Sequence, residues 1–130
     1  MDNFLENEQK YREIIGDIIE NTSLCIKVFD EKMNLIFINK GGREEHFIKD
    51  DEDIRKWNWL KTVKEQYQME VVEKFQRAFL RGESSVAEFE HTPEGSSHKW
   101  CLGLLSPIKD KEGKVKSVLF LSIDISNSPR

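Results

Sequence analysis

The chain has 130 residues, which is enough for one domain with a single hydrophobic core. Basic and acidic residues are mixed along it and give a formal net charge of −4, so the basic surface typical of nucleic-acid-binding proteins is not expected. The apolar runs are far shorter than the roughly 20 residues that span a bilayer, and the N-terminus lacks the pattern of a signal peptide. The composition therefore favours a cytoplasmic domain that contacts neither membrane nor nucleic acid.

The N-terminal segment is predicted to be an amphipathic helix over residues 4–20, followed by a polar break. Its apolar side chains recur at helical spacing, with Glu and Lys elsewhere. We therefore divide the chain into a flanking helix (1–22), a main domain (23–126) and a short tail (127–130). The apolar face of the helix consists of Tyr11, Ile14, Ile15, Ile18 and Ile19.

A β-hairpin is predicted next, because two short apolar runs at 24–29 and 35–38 are joined by a polar connector. Residues 43–48 are predicted to form a short helix and residues 49–56 a solvated loop. Ordered structure is expected to restart at Trp57.

The second half of the chain is predicted to contain one long helix and three strands. Residues 64–81 have the strongest helical periodicity, and Gly82 is a suitable C-cap. The strands are predicted at 86–91, 99–108 and 115–125, with a turn at 92–97 and a charged hairpin loop at 109–114.

The last two strands are apolar on both faces, so both faces need to be covered. The central helices can cover only one face of a sheet this small. The other face would be covered by the N-terminal helix, by a partner chain or by both, and we expect a homodimer. The residues predicted to pack there are Ile14, Ile15, Ile18, Leu102, Leu104, Leu119, Leu121 and Ile123.

The cysteines and histidines match no metal-binding or redox motif by spacing. Cys25 and Cys101 lie in apolar runs and are predicted to be buried, unpaired thiols. His46, His91 and His98 are scattered and are predicted to lie at the surface or at strand edges, with a ligand role left open for His46. No metal site is predicted.

The order of these elements and several local residues resemble the PAS domain family over residues 8–126. The residues that carry the resemblance are Asp30 and the segment 35–39 of the first hairpin; Trp59, Leu60 and Val63; Phe75, Ala78, Gly82 and Glu83 around the long helix; and Glu88, Phe89, Trp100, Pro107, Asp110, Gly113 and residues 124–126 in the last three strands. Two loop regions depart from the family pattern: residues 64–67 lack the usual acidic segment, and Phe47 stands where Gly is usual. Both would shape a ligand site, which weakens any transfer of ligand from the family.

The resemblance implies an α+β fold: a five-stranded antiparallel sheet with helices over one face and an N-terminal flanking helix. It also implies a non-catalytic sensor or dimerisation module, attached to an effector such as a histidine kinase in two-component signalling. This chain is interpreted as a fragment of a longer protein rather than as a stand-alone domain, with the signal leaving through Asp124, Ile125 and Ser126. The cavity candidates are Lys27, Phe29, Ile36, Ile38, Phe75, Cys101, Leu105, Phe120 and Ser122.

The cofactor is left unknown by the sequence. Neither cysteine lies in the Asn-Cys-Arg context of flavin photosensors, and residues 64–81 lack the histidine of haem-binding members, so a non-covalent small ligand stays open. Lys27 is expected either to face the cavity, balanced by Glu88 or an anionic ligand, or to reach the sheet rim. The alternatives are a ligand-free interaction module and a small cavity enzyme.

Overall fold

A computed structural model of the chain describes residues 4–92 and 99–126. The strands form one antiparallel sheet in the order β2-β1-β5-β4-β3, which confirms the predicted fold class. The predicted turn at 92–97 lies almost wholly outside the described residues, as do His98 and the tail. The elements in chain order are α1 (Phe4–Asn21), β1 (Cys25–Asp30), β2 (Leu35–Ile38), α2 (Lys40–His46), two 3₁₀ turns (Ile54–Lys56 and Trp59–Thr62), α3 (Glu65–Arg81), β3 (Ser85–His91), β4 (Lys99–Lys109) and β5 (Val115–Asp124).

Two hairpin loops of the same design fix the register of the sheet. Asp30 Oδ1 accepts hydrogen bonds from the backbone N–H groups of Lys32 and Asn34, and Asp110 Oδ1 does the same two and four residues on. Each loop closes through a residue with positive φ, which is Met33 at 63° and Gly113 at 84°. An aspartate side chain that satisfies the loop N–H groups explains why both polar connectors form tight turns.

A β-bulge in β2 corrects one sequence prediction. Phe37 pairs with Val28 and Leu35 pairs with Phe29, so Ile36 has no partner on β1. The extra residue turns Ile36 outward, where 48% of it is exposed, while Leu35 and Ile38 are buried. Ile36 was predicted to line the cavity from the resemblance to the PAS family, and that prediction is wrong.

The hydrophobic core lies between one face of the sheet, called the inner face here, and α3. Val71, Phe75 and Ala78 of α3 are buried against it. At Gly103 in β4, a Cβ atom would lie 2.6 Å from Cζ of Phe120, so only glycine allows the ring to lie flat against the strand. The sheet contributes alternate residues, including Phe29, Ala87, Phe89, Cys101, Leu105, Val118 and Phe120.

The opposite, outer face is apolar but incompletely covered. Leu104 and Ile123 are 41% and 42% exposed. The N-terminal helix does not cover this face in the described chain, because Ile14, Ile15 and Ile18 are themselves 44%, 55% and 59% exposed. From the sequence, α1 of the same chain was one possible cover for this face, and in the described part of the chain α1 does not cover it.

Candidate ligand-sensing site

One half of the inner face is filled by aromatic rings. Phe29 and Phe75 meet edge to face with centroids 5.0 Å apart, and Trp59 and Phe120 lie 4.9 Å apart. Of the predicted cavity residues, Phe29, Phe75 and Phe120 come together here, with Leu105 and Ile38 in the same core. Their side chains pack against one another. We call this set the aromatic half; it consists of Phe29, Trp59, Phe75, Phe89 and Phe120.

The other end of the inner face buries polar groups. Four elements supply them: β1, α2, β3 and β4. His46 and His91 are each only 2% exposed, so the prediction of surface or edge histidines is wrong for both. Cys25 and Cys101 are free and buried, as predicted. We call this set the polar cluster; it consists of Cys25, Lys27, Glu45, His46, His91 and Cys101.

Lys27 lies on the inner face and is 1% exposed, so the alternative in which it reaches the sheet rim is wrong. Its Nζ lies 2.7 Å from Cys25 Sγ, and it stands 5.5 Å from the centroid of Trp59. Glu88, considered as its counter-charge, is exposed and pairs with Leu102 on the outer-face register. The ammonium is therefore placed against a thiol and an aromatic ring.

The two histidines lie close to Glu45 and Cys101. His91 Nε2 lies 2.8 Å from Cys101 Sγ, and the rings of His46 and His91 are 5.7 Å apart. His46 Nε2 is 3.7 Å from Glu45 Oε2, beyond hydrogen-bond distance, and neither ring nitrogen of His46 has a hydrogen-bond partner among residues 4–92 and 99–126. The imidazole is thus buried without a hydrogen bond to the described part of the chain.

Burial governs the protonation of this cluster. It lowers the pKa of His46 to about 2, and electrostatic interactions with Lys27, His91 and Lys99 act in the same direction. Burial also raises the pKa of the Cys101 thiol to about 12, with Glu45 acting in the same direction and Lys27 against it. In the metal-free and ligand-free protein, both groups are neutral at physiological pH.

Asn39 positions the helix that carries Glu45 and His46. Its Oδ1 accepts from the N–H groups of Gly42 and Ile26, both at 2.9 Å, so it caps α2 and fixes it to β1. Its Nδ2 donates to the carbonyl of Ile19 at 2.8 Å, which also fixes the end of α1. Sequence reasoning missed Asn39, although an Asn just before a short helix is an N-cap signal.

The predicted exit segment is attached to the start of β4. Ile125 N–H donates to the carbonyl of Trp100 at 2.9 Å, and the Trp100 N–H donates to Ser126 Oγ at 2.9 Å. Asp124 Oδ1 accepts from the N–H of Ser126, and Asp124 pairs directly with Cys101 across the two strands. A residue of the polar cluster is therefore in backbone register with the exit segment.

An apolar groove of about 310 Å³ crosses the outer face. It brings together four of the predicted packing residues, and Leu119 lies on the same strand face beside them, whereas Ile14, Ile15 and Ile18 of α1 do not line it. Among residues 4–92 and 99–126, no helix is long and apolar enough to cross a membrane. We call this surface the outer groove; it is lined by Leu24, Val86, Leu102, Leu104, Leu121 and Ile123, with Gly103 and Ser122.

Comparison with known proteins identifies the class. A family model described as the PAS fold matches residues 19–130, so the chain belongs to the PAS family and is a PAS sensor domain. The resemblance drawn from the sequence is confirmed. Among curated protein sequences, none matches significantly.

Solved structures share the fold at low sequence identity. The PAS domain of a protein from Colwellia psychrerythraea is 14% identical, with a TM-score of 0.77 over 90% of this chain and 98% of its own. An RNA-binding light-oxygen-voltage receptor is 16% identical, with a TM-score of 0.75 over 88% of this chain; the match spans only 33% of the receptor. A sensory box histidine kinase/response regulator from Burkholderia thailandensis is 6% identical, with a TM-score of 0.62 over 87% of this chain and 85% of its own. Such likeness shows the fold alone.

Proposed function

We propose that this PAS domain is a homodimeric sensor module that relays the state of its inner face to an effector domain in the same parent protein. The domain itself is non-catalytic. The observation that carries the proposal is the apolar outer groove on a sheet whose other face holds the core. A contiguous exposed apolar surface of this kind marks an association site.

A second copy of the chain is the partner that fits this surface. The outer groove offers leucine and isoleucine side chains and very little polar surface. The helix α1 adds an exposed row of isoleucines next to the domain, with Ile14, Ile15 and Ile18 on one face. Two such surfaces from identical chains can bury each other around a two-fold axis, as most soluble homodimers do.

The strand β5 is the element that would carry the signal. Its inner residues Phe120 and Ser122 lie in the core, while Leu121 and Ile123 line the outer groove. It then continues into the exit segment at Asp124. A change on the inner face that shifted β5 would therefore act on both the dimer contact and the exit.

The effector we propose is a histidine kinase in a cytoplasmic two-component system. One of the structurally similar proteins is a sensory box histidine kinase/response regulator, and this likeness motivates the choice. Fusion of this chain to a kinase core tests it: autophosphorylation that depends on the exit residues Ile125 and Ser126 supports the proposal, and activity indifferent to them contradicts it.

Analytical ultracentrifugation of the full chain tests the dimer. We expect the wild-type chain to sediment as a dimer and Leu104→Lys to sediment as a monomer, because a charge would be buried in the outer groove. Leu80→Lys is the matched control, since Leu80 on α3 is 84% exposed and lies away from that groove. A monomeric wild type, or a dimer that survives Leu104→Lys, would contradict the proposal.

A second candidate is a dimerisation module without a ligand. It is favoured by the aromatic half, whose rings occupy the space that a cavity would need. Native mass spectrometry of the purified chain separates the two candidates, because a sensor retains a bound molecule or ion, whereas a ligand-free module has the mass of the polypeptide alone.

A further inference from the structure

The polar cluster contains two overlapping groups of possible metal donors that the sequence spacing does not reveal. Glu45 belongs to two groups of three donors, one with Cys25 and His46 and the other with His91 and Cys101. Within each group, one donor atom from each residue lies within 4.8 Å of the others. The carboxylate of Glu45 is thus within reach of two imidazoles and two thiols.

The buried imidazole of His46 is an independent sign that a ligand is held here. Within the described part of the chain, both of its ring nitrogens lack a hydrogen-bond partner, and Glu45 Oε2 lacks one as well. A buried polar group left unsatisfied costs about 1–3 kcal/mol, so natural proteins rarely keep one without a reason. A cation between these groups would satisfy the imidazole and the carboxylate together.

The donor types select the ion. Thiolate and imidazole donors favour zinc and similar transition metals, whereas calcium and magnesium require oxygen donors. The charges also balance: two thiolates neutralise a divalent ion, and the Glu45 carboxylate offsets the Lys27 ammonium. Nζ of Lys27 lies 2.7 Å from Cys25 Sγ, beside the donor atoms.

We propose that this cluster binds one divalent transition-metal ion of the zinc class beside the Glu45 carboxylate, with Cys25, His46, His91 and Cys101 as the other donors. The donor atoms lie within 4.8 Å of one another only inside each group of three, so the ion would draw the two groups together around Glu45, the residue that they share. The ion would join α2 to three strands of the sheet. Each thiol gives up its proton to solvent as the metal binds. This inference rests on the proposed function and extends it, because it names the class of ligand that the sensor would bind.

The site is placed to report its occupancy. Cys101 pairs with Asp124 at the end of β5, where the exit segment begins. Cys25 pairs with Ser122 on the other side of the same strand. An ion that draws both cysteines together would therefore act on β5 from both neighbouring strands.

Titration of the metal-free full chain with cobalt(II), loaded during refolding because the cluster is buried, tests the site directly. We expect one cobalt per chain and near-ultraviolet absorption from thiolate-to-cobalt charge transfer, which zinc then abolishes by displacement. Each of the variants Cys101→Ser and Cys25→Ser should remove about half of that absorption. Each should also weaken cobalt binding by more than the roughly 10- to 100-fold loss that follows removal of an outer-sphere partner.

Glu45→Gln and Glu44→Gln form a matched pair, because Glu44 is the exposed neighbour of Glu45 on α2. Glu45→Gln should weaken cobalt binding at least tenfold, and Glu44→Gln should leave it unchanged. This pair decides the question if either serine variant fails to fold, as checked by circular dichroism.

Three results would overturn the inference: no charge-transfer absorption in the wild type, an unchanged spectrum in either serine variant, or equal affinities in the two glutamine variants. Repeating the titration on Leu104→Lys separates this inference from the proposed dimer. Cobalt binding is expected to persist in that variant, so a failed dimer and a failed metal site give different results.

Discussion

The aromatic half and the polar cluster lie side by side on the same sheet face but follow opposite rules. In the aromatic half, Phe75 and Phe120 are fully buried and stack with rings 9° from parallel. In the polar cluster, Lys27 and His46 are almost as deeply buried, yet His46 has no hydrogen-bond partner among the residues that the structure describes. The aromatic half is apolar and closely packed, as a stable core requires, whereas the polar cluster buries a polar group without satisfying it.

The two helices that pack against these regions also differ, because one ends in a conformation that suits its residue and the other does not. The helix α3 packs its apolar face on the aromatic half and ends at Gly82, whose φ of 64° suits glycine. The helix α2 carries Glu45 and His46 and ends at Phe47, a bulky residue held at a φ of 58°. Proteins break local structural rules mainly at functional sites and follow them in the parts that stabilise the fold. The departures gathered at α2 therefore indicate that the polar cluster is the functional region.

The largest effect is expected from Phe75→Ala in the aromatic half. The ring is 0% exposed and contacts Phe29, Trp59 and Phe120, so its loss leaves a cavity that cannot collapse. We expect the free energy of unfolding to fall by about 3–5 kcal/mol in urea denaturation. Leu80→Ala on the same helix is the control and should change it by less than about 0.5 kcal/mol. A loss below about 1 kcal/mol for Phe75→Ala would show that this half is loosely packed.

Much of the fold could be predicted because its signals are local. The periodicity of residues 64–81 and Gly82 predicted α3 and its end, and the alternation of residues 115–125 predicted β5. The resemblance to the family failed at Ile36, because a bulge leaves no pattern in the sequence.

The polar cluster could not be predicted, because its members are distant in the sequence. Spacing rules detect metal motifs whose ligands are close together, whereas strand pairing brings Cys25 and Cys101 to the two sides of β5. His46 joins them only because Asn39 fixes α2 against β1. Long-range pairing and one buried cap thus create a site that no single segment carries.

A smaller effect, of the opposite sign, is expected from Lys27→Met in the polar cluster. With metal removed by a chelator, the buried ammonium has a thiol and aromatic rings around it, and methionine matches its length. We expect the free energy of unfolding to stay constant or rise by about 1–2 kcal/mol. The exposed Lys111→Met is the control. A loss above about 2 kcal/mol would show that the ammonium stabilises the cluster and would remove the contrast with the aromatic half.

The smallest effect is expected at the two helix ends. Phe47 is 63% exposed, so Phe47→Gly loses little packing and relieves a left-handed backbone conformation. We expect a gain of about 1 kcal/mol in thermal or urea unfolding, and a loss of similar size for Gly82→Ala, which introduces the same strain at the end of α3. If both variants raised the free energy of unfolding, or both lowered it, the contrast between the two helix ends would be contradicted. Cobalt binding separates the two possible roles of Phe47: unchanged affinity in Phe47→Gly means that strain at the end of α2 is independent of the metal donors, whereas weaker binding means that the strained cap holds Glu45 and His46 in place for the ion.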